Sequence, residues 1–127
     1  MRHILILALF ALHLGACAQN KTTNMNEQSI SITQIWDKTF PLSEKVNHKK
    51  VTFKTQYGFT LVADLYIPKT DELQNSKTAK PALVVSGPFG AIKEQCSGLY
   101  AMNMAERGFV TLAFDPSFTG ESSGEPR

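Results

Sequence analysis

Few residues in this 127-residue sequence could do chemistry, and most of them sit in glycine-rich stretches. Gly120-Glu121-Ser122-Ser123-Gly124 is a literal G-x-S-x-G, the pattern in which a serine attacks an acyl carbon from a sharp strand-to-helix elbow. That chemistry also requires an acid and then a histidine farther along the chain. Here the preceding apolar run ends at Phe114, polar residues intervene, and only Glu125, Pro126 and Arg127 follow. Ser122 is therefore expected to be a loop residue, not a nucleophile. The second stretch is Ser86-Gly87-Pro88-Phe89-Gly90. Two glycines and a proline let the backbone turn sharply and expose amide hydrogens, which can stabilise a developing oxyanion. Pro88 has no N–H, so the donors would be Phe89, Gly90 or a later residue. A plain strand-to-helix turn accounts for the same five residues.

The remaining reactive side chains point to less. Cys96 reads as a buried small hydrophobe near a helix start or as a thiol activated there, and the inert reading is favoured since no histidine lies nearby in sequence. His48-Lys49-Lys50 reads as a solvated strand edge. His48 is the only histidine after Cys17, and with no cysteine pair the spacing of a zinc site is absent. No metal and no cofactor is expected.

Composition narrows the class. The sequence is 43% hydrophobic and 19% charged, with eight Phe and a formal net charge of +2, so it is neither disordered throughout nor a nucleic-acid binder working through bulk charge. Two cysteines, Cys17 and Cys96, cannot make a disulfide scaffold.

The N-terminus reads as an export signal. Arg2 and His3 precede an apolar run over residues 4–14, too short for a permanent membrane span. Leu14-Gly15-Ala16-Cys17 resembles a bacterial lipobox, in which the cysteine is lipidated and becomes the new N-terminus. Ala16-Cys17-Ala18 also fits ordinary cleavage after Ala18. Both readings export the protein, to the periplasm or outer membrane if lipid-anchored and as a soluble product otherwise. Residues 18–29 are polar and aperiodic, a tether between anchor and body.

The body must position the two glycine-rich loops. Residues 30–47 form an irregular lead-in that docks through Trp36 and Phe40. Residues 50–56 and 59–67 alternate apolar and polar, which predicts an antiparallel hairpin turning at Tyr57-Gly58 and ending at Pro68. In the second strand Phe59, Leu61, Ala63, Leu65 and Ile67 are assigned to the buried face, and Thr60, Val62, Asp64 and Tyr66 to the wetter one. Residues 69–80 form a polar loop. Residues 81–86 and 109–114 are continuous apolar runs, the signature of strands covered on both faces, and a helix over 93–107 carrying Leu99, Met102 and Ala105 links them, capped by Gly108. Strand, helix, strand predicts parallel neighbours with a right-handed crossover, so both loops lie at the carboxyl edge where open α/β sheets bind ligands.

Three segments then form a recognisable combination: residues 61–68, residues 84–95 with Ser86-Gly87-Pro88-Phe89-Gly90, and residues 105–127 with Asp115 and Gly120-Glu121-Ser122-Ser123-Gly124. Together they resemble the N-terminal part of α/β-hydrolases, most closely the dienelactone-hydrolase-like and Xaa-Pro dipeptidyl-peptidase-like branch, over residues 46–127. The resemblance implies an incomplete α/β sheet built of an antiparallel hairpin plus one βαβ unit. It places Phe89, with Gly90, at the oxyanion-hole position, and departs from the family in having Gly87 where histidine is frequent. The family's nucleophile elbow, acid and histidine have no counterpart here, so no catalytic residue is expected in this chain.

The expectation is thus a signal peptide at residues 1–16, a tether at 17–29 and a partial hydrolase domain at 30–127. The complete enzyme would cleave a small ester or peptide, anchored to a membrane through Cys17. The alternative is a small non-enzymatic lipoprotein that binds a partner through an exposed sheet edge, taken to be the strand at 109–114.

Overall fold

The computed structural model describes residues 30–69 and 79–124. The export signal, Cys17, the tether and much of the polar loop lie outside the described residues. The elements run β1 (Val46–Lys54), β2 (Thr60–Pro68), β3 (Ala82–Val85), α1 (Cys96–Ala105) and β4 (Val110–Phe114). They form a mixed four-stranded sheet in the order β1-β2-β4-β3 with one helix, an incomplete α/β fold. No helix among the described residues is long and apolar enough to cross a membrane.

β1 and β2 pair antiparallel from Val46↔Pro68 to Lys54↔Thr60, so β1 begins four residues before the alternation at 50–56 would place it. Their turn has a local cause. Gly58 takes φ 84°, its N–H donates to Thr55 C=O at 3.0 Å, and Thr55 N–H donates to Phe59 C=O at 2.8 Å. A three-residue loop ending in a left-handed glycine matches the twist of the flanking strands. α1 is stopped by Gly108 at φ 97°: Gly108 N–H donates to Ala105 C=O and Phe109 N–H to Met104 C=O, a Schellman closure. β3 and β4 are parallel over Ala82↔Val110 to Val85↔Ala113, as the βαβ reading requires.

Two expectations are corrected. β4 is not an edge strand: it lies between β2, antiparallel over Ala63↔Phe114 to Tyr66↔Thr111, and β3; the edges are β1 and β3. The division of β2 into a buried and a wetter face is also corrected. Val62, Asp64 and Tyr66, assigned to the wetter face, are fully buried; Leu61 and Ala63 are buried as expected, and Leu65 and Ile67 are only half-buried. Register explains this. Tyr66 and Asp64 share a face with Val46, His48, Lys50, Thr111 and Ala113, and that face receives α1 through Ala101, Met102 and Ala105 and the lead-in through Trp36 and Phe40. Burying each large apolar side chain there is worth about 1.5–3 kcal/mol. Leu99 and Tyr100 stay exposed on the outer side of α1.

The opposite face carries Val51, Phe53, Leu61, Leu65, Ile67, Val84, Leu112 and Phe114, and no described helix covers it. Phe53 and Phe114 meet edge to face at 6.5 Å between ring centroids, and Val84 is 69% exposed. β3, expected to be covered on both sides, is therefore covered on one.

An uncovered apolar sheet face of this kind should make the isolated 127-residue chain bind hydrophobic dyes and associate. A dye-silent monomer with a cooperative melt would contradict this. Val84→Lys should reduce association while shifting stability by no more than about 0.5 kcal/mol, measured by urea unfolding.

Candidate functional site

Because β3 and β4 are parallel, their carboxyl ends open on the same side, and the loops that follow them meet there. Residues 87–92 and 116–120 line a half-open cavity of about 560 Å³. Gly90 turns the first loop at φ 79°, and Ala91 N–H closes it on Pro88 C=O at 3.0 Å. The N–H groups of Phe89 and Gly90 donate to no other described residue, and the Phe89 side chain is fully exposed.

One carboxylate holds both walls. Asp115, the first residue after β4, is fully buried. Its Oδ1 accepts from Lys93 N–H at 2.8 Å, and its Oδ2 accepts from Lys93 Nζ at 2.8 Å and from Glu121 N–H at 3.1 Å. The end of the first loop and both ends of the second are tied to the same side chain. Gly120, at φ 54°, lies so close to that carboxylate that a Cβ would overlap it.

Asp115 belongs to a larger ionic network under the cleft. Lys93 Nζ also reaches Glu121 Oε2 at 2.7 Å and contacts Glu94. Lys50 Nζ bridges Glu121 Oε2 at 2.8 Å to Asp37. Lys38 contacts Asp37 and places its ammonium 3.0 Å from Asp64 Oδ2, a charge contact rather than an aligned hydrogen bond. His48 Nε2 lies 2.7 Å from Asp64 Oδ1. Burial alone would push the Lys93 ammonium down, but its hydrogen bonds to Asp115, Glu121 and Glu94 outweigh that and hold its pKa above the ordinary value. Lys50 is raised likewise, burial being overcome by Asp37 and Glu121. Burial would raise Asp37, yet Lys38 and Lys50 bring it to about 2, and Glu121 is lowered by Lys50 and Lys93 against its burial. The Tyr66 hydroxyl, buried without a partner and facing Asp64, Glu94 and Asp37, is raised.

Carboxylate oxygens of Asp37, Glu94 and Glu121 converge within 4.8 Å of one another, a spacing a metal could use. The ammonium groups of Lys38, Lys50 and Lys93 sit against these carboxylates. The solvated edge expected at His48-Lys49-Lys50 is corrected accordingly: Lys49 is exposed, but Lys50 is 1% exposed and the His48 side chain is nearly buried. Cys96 is corrected too, being exposed at the first residue of α1 instead of buried.

Ser122 is buried and fully engaged: Val62 N–H donates to its Oγ at 2.9 Å, and its Oγ–H donates to Asp115 C=O at 2.7 Å. Ser123 repeats the pattern on Thr60, through Thr60 N–H to Oγ and Ser123 N–H to Thr60 C=O, both at 2.8 Å. The two serines thus tie the rim loop to β2. Phe118, at φ 68°, is a bulky residue in the left-handed region, a conformation costing about 1–3 kcal/mol. Its N–H on Ser123 C=O at 3.0 Å and its ring against Phe59 at 5.0 Å hold it there, at the cleft wall. Sequence reading found both loops but missed Asp115 as their anchor. The available signal was a pair of charges, Lys93 and Asp115, placed immediately after apolar stretches at the same sheet edge.

No protein-family model matches the chain. It is 59% identical over 112 residues to the uncharacterised protein PA2218 of Pseudomonas aeruginosa, covering 88% of this chain and 29% of that one. The crystal structure of the hypothetical protein PA2218 superposes with a TM-score of 0.71 at 65% identity, over 78% of this chain and 30% of that chain. The α/β hydrolase GrgF from a Penicillium species matches with a TM-score of 0.53 at 31% identity, over 64% of this chain and 25% of that one. The chain carries part of an α/β-hydrolase fold. It spans about three tenths of the length of the relative PA2218. Acetyl xylan esterase 1 from Thermoanaerobacterium shares the fold, with a TM-score of 0.52 at 19% identity over 68% of this chain and 25% of that one.

Lys93→Met should cost about 3–5 kcal/mol in urea unfolding, because it leaves Asp115 charged, buried and without its cation. Asp37 and Glu121 stabilise the fold fully above their ordinary values of 3.8 and 4.5, and lose that contribution as pH falls through their lowered folded values. Lys50 and Lys93 contribute fully below 10.5 and lose it only at higher pH. Stability should therefore be flat from about pH 5 to about pH 10 and fall on either side, read from chemical denaturation midpoints across pH.

Proposed function

We propose that this chain builds the oxyanion wall of an exported serine hydrolase acting on esters or peptides. The observation that carries the reading is the cleft at the carboxyl ends of two parallel strands, with the Phe89 and Gly90 amide hydrogens beside it and, among the described residues, unpartnered. Such donors stabilise the negative charge that develops on a carbonyl oxygen when a nucleophile adds to its carbon. The likeness to GrgF, named an α/β hydrolase, supports the same chemistry.

In this reading a serine hydroxyl supplied by the longer protein adds to the substrate carbonyl, and a histidine takes its proton and passes it to the departing alcohol or amine. Water then releases the acyl group from the serine by the same route. The nucleophile, acid and histidine lie outside this chain. His48 is engaged with Asp64, and Ser122 with the backbone. The chain by itself is then inactive.

Export rests on the apolar run at 4–14 and on Leu14-Gly15-Ala16-Cys17. Cys17 carries a lipid that holds the protein on a membrane, with 18–29 as tether. Labelled palmitate should be incorporated by the exported protein and lost in Cys17→Ser. Incorporation that survives the substitution, or none at all, would contradict the anchor.

Two activity measurements test the function. The product of the complete reading frame should turn over p-nitrophenyl acetate, while the pure 127-residue chain should not. Turnover by the 127-residue chain, abolished in Ser122→Ala, would overturn this account. In the complete protein Ser122→Ala should instead cost about 1–3 kcal/mol of stability, because the Val62 N–H and Asp115 C=O lose their partner, and leave turnover in place.

A further inference from the structure

We infer that the cleft selects neutral substrates with apolar or aromatic acyl groups and rejects anionic ones; this rests on the hydrolase reading and specifies its substrate class. The cleft is lined by residues 87–92 and 116–120, and none of these eleven is ionisable. Its larger lining side chains are Pro88, Phe89, Ile92, Pro116 and Phe118, and its size falls in the usual range for small-molecule sites.

Charged residues flank both loops, yet they turn beneath the cleft and bind one another. Lys93, Glu94 and Asp115 are buried, and Glu121 is held by Lys50 and Lys93. The network contains three ammonium groups, on Lys38, Lys50 and Lys93, and five carboxylates, on Asp37, Asp64, Glu94, Asp115 and Glu121. Its carboxylates outnumber its ammonium groups by two. An anionic acyl chain would have to shed its hydration against apolar walls, with no cation among the described residues that line them and an excess of carboxylates behind. A neutral apolar chain meets the opposite balance. Phe89 holds a full aromatic ring in solvent next to these amides, and Phe118 maintains a left-handed backbone with its side chain at the opposite loop. An acyl group between the two loops would cover that ring while its carbonyl oxygen reaches the amides.

The test uses the protein encoded by the complete reading frame and p-nitrophenyl esters of acetate, butyrate, phenylacetate and hemisuccinate. kcat/KM for butyrate and phenylacetate should exceed that for hemisuccinate by about tenfold or more. Phe89→Ala should lower the phenylacetate-to-acetate ratio, and Thr119→Lys, which adds a cation to the wall, should raise the hemisuccinate-to-butyrate ratio. Hydrolysis of hemisuccinate as fast as butyrate, or ratios unmoved by both substitutions, would overturn the substrate class while leaving the hydrolase intact. No turnover of any ester by the folded protein would overturn the hydrolase reading, and this inference with it.

Discussion

A buried carboxylate and its ammonium partner organise this molecule. Asp115 follows β4 directly and Lys93 ends the loop after β3, and a backbone and a side-chain hydrogen bond join them at 2.8 Å each. A charge pair taken out of water is not in itself a source of stability, because desolvation offsets most of the attraction. Its value here is geometric. Two glycine-rich loops with little side-chain packing of their own would sample many arrangements, and the Asp115 carboxylate, which also accepts from Glu121 N–H, restricts them to one. The cleft width follows from that restriction.

The sheet's two faces divide the labour. One face is sealed by α1 and by the lead-in, where Trp36 stacks edge-on to Phe40 at 5.6 Å and to His48 at 5.1 Å, and it holds the ionic network. Gly98 lets α1 approach closely: a Cβ there would overlap Lys93 C=O and crowd the Tyr66 hydroxyl. The other face is apolar and, among the described residues, without a helix. The relative PA2218, of which this chain spans about three tenths and with which it shares the fold over the matched part, has chain enough to cover such a face.

Much of the architecture was legible in the sequence, for physical reasons. Continuous apolar runs joined by a helical stretch leave few solutions other than a parallel pair, and Tyr57-Gly58 and Gly108 mark turns that only a left-handed residue closes well. The sidedness of β2 was not legible, since both faces of that strand are largely apolar and the decisive event is which one α1 covers. Nor was the position of β4, because insertion between β2 and β3 depends on long-range pairing. Buried lysines defeat the reading most thoroughly. Lys50 looks like a solvent-facing residue until Asp37 and Glu121, thirteen and seventy-one positions away, are seen to neutralise it. The two cleft loops were recognisable from composition, but their common anchor depends on a contact across twenty-two residues.

The cleft between the two loops is proposed to be where an acyl oxyanion is held. A crystal structure of the complete protein inactivated by a p-nitrophenyl alkylphosphonate tests it most directly. The phosphonyl oxygen is predicted to lie about 2.7–3.1 Å from the amide nitrogen of Phe89 or Gly90, with the alkyl chain between Phe89 and Phe118. A phosphonyl oxygen bound elsewhere, with both amides left facing solvent, would contradict it.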